Sequence, residues 1–330
     1  LYKRERELIN LFKYNRLHSY FHLLETKGKI MKNKVDLFLD SGAFSAWSQG
    51  SYIDIQEYIN FIKEHQDVIS VYANLDVIRD PEATWKNQRI MEKAGLNPLP
   101  VFHYGEDIKW LKRYLNRGHK GIAIGGMVTK ERSHLYDFLD GIFLNHICDS
   151  EGFPTVRVHG FGLTSLRLMF RYPWYSVDST SWVVTGRMGS IYVPRFRGGE
   201  WIYDEDSWKI AVSSRSPNTK EAGKHIETLP PKQKQLVLDY IHSKGYQLGK
   251  SVFKTVPAGY ELKENERWAD KKPKDKTASR QVEVIEEPGV CNKYQLRDEM
   301  NIIYFQDLEQ SMPEWPWPFK KKNKVQGLGL

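Results

Sequence analysis

Short runs rich in β-branched and aliphatic residues recur through the first half of the chain, at 35–40, 69–76, 99–103, 121–124, 155–159 and 175–178, and amphipathic stretches separate them. In 54–64, Ile55, Tyr58, Ile59 and Ile62 fall on one helical face, and 81–94, 107–117 and 163–172 read the same way. Strand and helix alternating this often predict a parallel sheet, because parallel neighbours need a crossover between them. Right-handed crossovers bring successive strands side by side, and this many units favour a (β/α)8-like barrel over an open sheet. The expected fold class is therefore α/β, an irregular TIM-like barrel with additions.

The additions follow residue 178. Segments 182–189 and 191–197 read as hairpin strands with glycine turns, an insertion near the rim of a site. Segment 229–244 predicts a helix opened by Pro230 and Pro231 and closed before Gly245, with Leu236, Val237, Tyr240 and Ile241 as its apolar face. Segment 264–280, rich in Lys and Asp, reads as a mobile loop, and 297–308 regains helical periodicity or strand character at Ile302 to Phe305. The tail from Pro313 to Phe319 combines prolines with aromatics suited to docking, and then turns basic at Lys320, Lys321, Lys322 and Lys324. We divide the chain into 1–215, the main barrel, and 216–330, a C-terminal extension integrated with it. The chain begins at Leu1 rather than Met, which leaves room for a preceding element.

Composition narrows the function classes. The 49 Lys and Arg against 41 Asp and Glu leave a formal charge of +8, which favours a polyanionic partner. Only Cys148 and Cys291 are present, so neither a disulfide framework nor a multi-cysteine zinc site can be built, and a reducing cytoplasm fits. No apolar run is long enough to span a bilayer, and the charged start is unlike a secretory signal.

The chemistry is concentrated at strand ends. Phe38-Leu39-Asp40-Ser41-Gly42 closes an apolar strand with an acid and a glycine turn, and Tyr175-Ser176-Val177-Asp178 does so again. Acids at the C-terminal ends of barrel strands are where such folds keep catalytic groups, although each also fits a side-chain-capped turn. Between them Gly121 to Met127 ends a strand in Gly125-Gly126, and His159-Gly160-Phe161-Gly162 ends another in glycines. Such turns let a flat ligand approach the backbone, or are simply tight βα connections. They are too short for a dinucleotide fingerprint and lack the Lys-Ser/Thr of a P-loop.

In this order the elements resemble the tRNA-guanine transglycosylase superfamily over residues 35 to 195. Asp40-Ser41-Gly42-Ala43-Phe44 is similar to the family's Asp-Ser-Gly-Gly-Phe/Tyr, Ile124-Gly125-Gly126-Met127 to its Ile-Gly-Gly-Leu turn, and His159-Gly160-Phe161-Gly162 to its Met-Gly-Val-Gly strand end. Val177-Asp178-Ser179 is similar to its Phe-Asp-Cys nucleophile segment, and Arg187 lies where the family carries an arginine. The resemblance implies a pentosyltransferase in which Asp178 is the nucleophile and Asp40 the general acid/base. It implies base contacts from Asp76, Phe44, His103, Gly125, Gly126, Met127, His159 and Gly160, with His103 in place of the family's glutamine. The zinc ligands of the family are missing, so no metal and no cofactor are expected.

Short zinc-less relatives are similar to phage DNA 7-deazaguanine transglycosylases. That branch implies exchange of guanine in DNA for a free 7-deazaguanine such as the cyano precursor preQ0, in an infected host's cytoplasm and away from membranes. Phosphate contacts are expected from Arg187, Arg195, Arg197, Lys320, Lys321 and Lys322, and Trp182 or Trp201 are candidate stacking wedges. Three other readings stay open: exchange in tRNA, hydrolytic removal of a DNA base, and a non-catalytic nucleic-acid-binding module. Homodimerisation, as in relatives, also stays open.

Overall fold

Each described strand pair in the first half of the chain is parallel. In the computed structural model, which describes residues 16–25, 37–128, 130–163, 165–216, 221–271, 275 and 277–320, one sheet orders β1 (Arg16–Ser19), β2 (Leu37–Asp40) and β3 (Ile69–Tyr72). A second orders β4 (Val101–His103), β5 (Gly121–Gly125), β6 (Arg157–Gly160) and β7 (Ser176–Val177). A parallel bridge between Ala73 and Leu99 joins them. β2, β3, β4 and β7 fall within the predicted segments, β5 and β6 run one residue past theirs, and β1 was not predicted.

Helices fill the crossovers: α1 (Tyr20–Glu25), α2 (Ala43–Ser48), α3 (Ile55–Glu64), α4 (Pro81–Lys93), α5 (Ile108–Leu115), α6 (Arg132–Ile142) and α7 (Leu166–Arg171). An aspartate opens each of α3, α4 and α5. Asp54 accepts from the Gln56 and Glu57 amides, Asp80 from Ala83 and Asp107 from Lys109, which satisfies donors that a helix start leaves unpaired.

Side chains alternate across the strands. Leu37 and Leu39 of β2 point outward into a core with Tyr58, Ile59 and Ile62 of α3 and Met91 of α4. Phe38 points the other way, toward Ala73, Val101, Ala123 and Phe161. Its ring centroid lies 4.7 Å from that of His159 on β6. Four strand spacings in a flat sheet would separate them by roughly 19 Å, so the strands curl around this shared interior. Among the described residues no pairing closes β7 onto β1, and what stands is a mixed α/β fold with curled parallel sheets.

The chain divides into two compact units, Leu1–Ser179 with Pro313–Leu330, and Thr180–Met312, so the boundary falls at 179/180 and 312/313 rather than at 215/216. The second unit contains α8 (Ser181–Arg187), β8 (Ser190–Val193), β9 (Arg195–Arg197), β10 (Glu200–Ile202), β11 (Trp208–Ala211), α9 (Pro231–Ser243), β12 (Lys250–Val256), β13 (Glu266–Trp268), β14 (Arg280–Glu287) and α10 (Tyr294–Ser311). The predicted helix at 229–244 is α9, and β9 with β10 is a hairpin.

Two expectations are corrected in this unit, and the alternative left at 297–308 is decided for a helix. Segment 182–189 is helical despite its β-branched residues, because α8 packs so closely on α10 that a Cβ on Gly186 would collide with the Asp298 carboxyl group. Arg297 donates to the Gly186 carbonyl at 2.7 Å and Asn301 to that of Trp182 at 3.0 Å. Segment 264–280 contains β13, whose charges are paired rather than solvated: Lys254 to Glu266, Arg267 to Glu283, and Arg280 over the Trp268 ring. Residues 302–305 lie within α10 and form no strand.

Candidate active site

One layer above the Phe38 interior, on the C-terminal ends of the same strands, titratable groups of the first unit converge. Asp40 follows Phe38 by two residues and therefore shares its face, as His103 shares that of Val101 on β4. The Gly42 N–H donates to Asp40 Oδ2 at 3.2 Å, a turn that glycine makes possible at φ +76°. Burial, then the charges of Asp76 and Asp178, raise the Asp40 carboxyl from 3.8 to about 7, against lowering by the Gly42 and Ser41 amides. Asp40, expected as the acid/base, therefore sits with Asp76 and Asp178 as close electrostatic neighbours and titrates near neutrality.

Asp178 is held differently. Its Oδ1 accepts the Gly162 N–H at 2.8 Å and lies 3.4 Å from His159 Nε2. His159 is buried against Phe38 and Phe161, and its Nδ1 is 2.8 Å from Ser176 Oγ. A backbone donor on one oxygen, with an imidazole edge beside it, orients the carboxylate and leaves Oδ2 with no partner from these groups.

Asp76 is fixed from both sides. Ser41, fully buried, donates to Oδ1 at 2.9 Å, and His103 Nε2 lies 3.0 Å from Oδ2. On its other side the His103 ring meets Glu106, Nδ1 to Oε1 at 3.0 Å, and its backbone N–H donates to Glu106 Oε2 at 3.1 Å. Burial opposes a charge on this imidazole, but hydrogen bonds to Asp76 and Glu106 and their charges override it and raise His103 from 6.5 to about 10. His103 was expected among the base contacts, and here each of its ring nitrogens faces a carboxylate.

Two of the glycines border protein side chains directly. A Cβ at Gly125 would lie 2.9 Å from the His103 ring, and one at Gly160 would lie 3.2 Å from the Trp174 ring, so both glycines make room for protein side chains. Gly126 alone is exposed, at φ +71°, next to the buried Met127. Phe44 is exposed on α2, 6.0 Å from the Trp47 ring, and Arg79 lies over that indole at 5.2 Å.

The proposed phosphate contacts are divided between the two units. Arg187, Arg195 and Arg197 belong to the second unit, where Arg195 donates to the Asp206 carbonyl and stacks on Trp208, and Arg197 pairs with Glu205. Trp182 and Trp201 belong to that unit as well. Lys320 is exposed, whereas Lys321 and Lys322 lie outside the described residues.

Sequence reasoning passed over Ser41, Glu106 and Gly162 as working groups. Ser41 and Gly162 stood inside quoted motifs, and Glu106 was signalled only by an acid three residues after a strand-end histidine with Gly105 between them.

Among the described residues no group of three or more His, Cys, Asp or Glu side chains is arranged to hold a metal ion, and no helix is long and apolar enough to cross a membrane. Cys148 and Cys291 are both free thiols. Neither a family model nor a curated protein nor a solved structure matches this chain.

Proposed function

We propose that the first unit is a closed, irregular (β/α)8-type barrel that exchanges a purine base in DNA for a free 7-deazaguanine, through a covalent bond between Asp178 and the deoxyribose. The observation that carries this reading is the division of labour between two neighbouring acids: Asp178 is oriented by a backbone N–H, and Asp40 titrates at about 7. A pair of carboxyl groups with separated roles suits displacement at an anomeric carbon.

In the forward step Asp178 forms a bond to C1′ while the glycosidic C–N bond breaks, and the departing base takes the Asp40 proton. The incoming base then loses its N–H proton to the Asp40 carboxylate and attacks C1′, and Asp178 leaves. No net oxidation occurs and the Asp40 proton is restored. An acid near pKa 7 can both give and take that proton at neutral pH. Asp76 would accept from the amino edge of the base, and the exposed Gly126 turn would face another edge. Because a paired base is inaccessible in a duplex, the target nucleotide must be flipped out or single-stranded. The net charge of +8 favours a phosphate backbone as partner, with Arg187 and Lys320 as candidate contacts. Free thiols fit a cytoplasmic setting.

The test is covalent trapping. Protein incubated with guanine-containing DNA should give a denaturation-resistant adduct, and Asp178→Ala should remove it, as gels would show. With labelled guanine the wild-type protein should exchange label into DNA. An adduct undiminished in the variant removes Asp178 from its role, and abasic DNA in the absence of any free base would show hydrolysis instead of exchange.

A further inference from the structure

The buried Glu106 is not explained by its place in a turn. We infer that Glu106 is a positioning residue of the base pocket: through the His103 ring it holds the Asp76 carboxylate in one orientation, as an acceptor, and so sets the pocket to select heterocycles that present N–H donors. The ligand's identity rests on the base-exchange reading; the relay itself does not.

Three contacts and two glycines support it. Each nitrogen of His103 faces a carboxylate oxygen at 3.0 Å, Asp76 on one side and Glu106 on the other. A neutral imidazole has one N–H and one lone pair, so it would aim a lone pair at one of the two anions; an imidazolium donates to both. Glu106 also accepts the His103 backbone N–H, so both of its oxygens bind the same residue, and its side chain is only 9% exposed. Gly105, at φ +84°, allows the turn that returns Glu106 to the strand end. Finally the ring is pinned against β5, where anything larger than glycine at 125 would press on it.

The consequence lies in how the acids share charge. Asp76 and Asp178 are both electrostatic neighbours of Asp40. The imidazolium supplies Asp76 Oδ2 with a donated N–H. Asp76 can then only accept, and since both His103 N–H groups are consumed, that ring offers no donor to a ligand. A base with an N–H and an amino group side by side fits; one that presents an acceptor there meets an anion. The carboxylates that act on His103 are Asp76 and Glu106, and burial opposes them. Asp76 and Glu106 together are therefore what allow the imidazole to remain charged.

The experiment uses the full chain, with Glu106→Gln and His103→Gln. Imidazole nitrogen shifts from NMR should show wild-type His103 doubly protonated at pH 8, and in Glu106→Gln titrating at least one pH unit lower. In exchange assays with labelled guanine and DNA, Glu106→Gln should raise KM for the free base about ten-fold or more, while kcat stays within about three-fold and KM for DNA is unchanged. A merely structural role would lower the active fraction, and so kcat, without moving KM for the base. In a His103→Gln background, Glu106→Gln should add nothing further, because the relay is already cut. A neutral His103 in wild type at pH 8, or an unchanged KM for the base in Glu106→Gln, overturns the inference. If wild type exchanges no base at all, the base-exchange reading fails, and the NMR titration still decides whether Glu106 controls His103.

Discussion

The Asp40 side chain is held in a state that favours chemistry over stability. Its carboxyl loses a proton near 3.8 in the unfolded chain and at about 7 in the folded protein, so between those values the folded state binds more protons. The stabilisation is full below 3.8, declines as pH rises, and is gone above 7. Asp40→Asn should therefore stabilise the protein at pH 8, by about 1–3 kcal/mol, and bring little change near pH 3.5. Thermal melts at the two pH values check this, and equal shifts at both would show that the carboxyl is not desolvated as described. His103 works in a higher window: its raised value gives stabilisation that is complete below 6.5 and lost as pH climbs through about 10. Both acids at the strand ends were legible in the sequence, because an acid after an apolar strand is conspicuous. The role of His103 was not, since a ring between two carboxylates depends on Glu106 and Asp76 meeting across separate turns.

At the scale of elements, the helices of the first unit were legible because their signals are local. Asp54 caps α3, and the face of Tyr58, Ile59 and Ile62 is fully buried as its spacing requires. Asp54→Ala removes the acceptor for two amides and should cost about 1 kcal/mol, read as a lower midpoint in denaturant titration with unchanged slope. An unchanged midpoint would mean that water replaces the cap without loss. Segment 182–189 shows where local signals fail. Val183, Val184 and Thr185 prefer strands, yet α8 is helical because Arg297, Asp298 and Asn301, more than a hundred residues later, occupy the space and the carbonyls around it. The charged stretch containing β13 was misread for a related reason. Its Lys, Arg and Glu residues are paired across strands, and composition alone does not distinguish a paired charge from a solvated one.

Over the whole molecule the chain leaves the first unit at Ser179 and returns to it at Pro313. The returning tail is anchored by packing. Phe319 is 4% exposed, with its ring centroid 5.1 Å from Tyr172 and 6.1 Å from Phe143, its N–H donates to the Gly152 carbonyl at 2.8 Å, and Trp315 donates to the Pro173 carbonyl. The docking expected of this aromatic segment is thus supplied within its own unit. Phe319→Ala should destabilise the protein by about 3 kcal/mol, since it empties a buried aromatic site, and should expose the tail to protease. A variant with wild-type melting and wild-type resistance to limited proteolysis would show that the tail contributes no anchoring.

By itself the sequence determined the alternation of parallel strands and crossover helices, the helix starts, and the acids and glycines at strand ends, because each depends on residues within a few positions of one another. Only the tertiary structure decided where the units divide, that 182–187 is helical, that Gly125 and Gly160 yield space to side chains, and that Asp76, His103 and Glu106 form one hydrogen-bonded chain. Those outcomes depend on which distant surfaces meet. Burial and opposite charge at such meetings outweigh the propensities, commonly a fraction of a kcal/mol per residue, on which a reading of the chain relies.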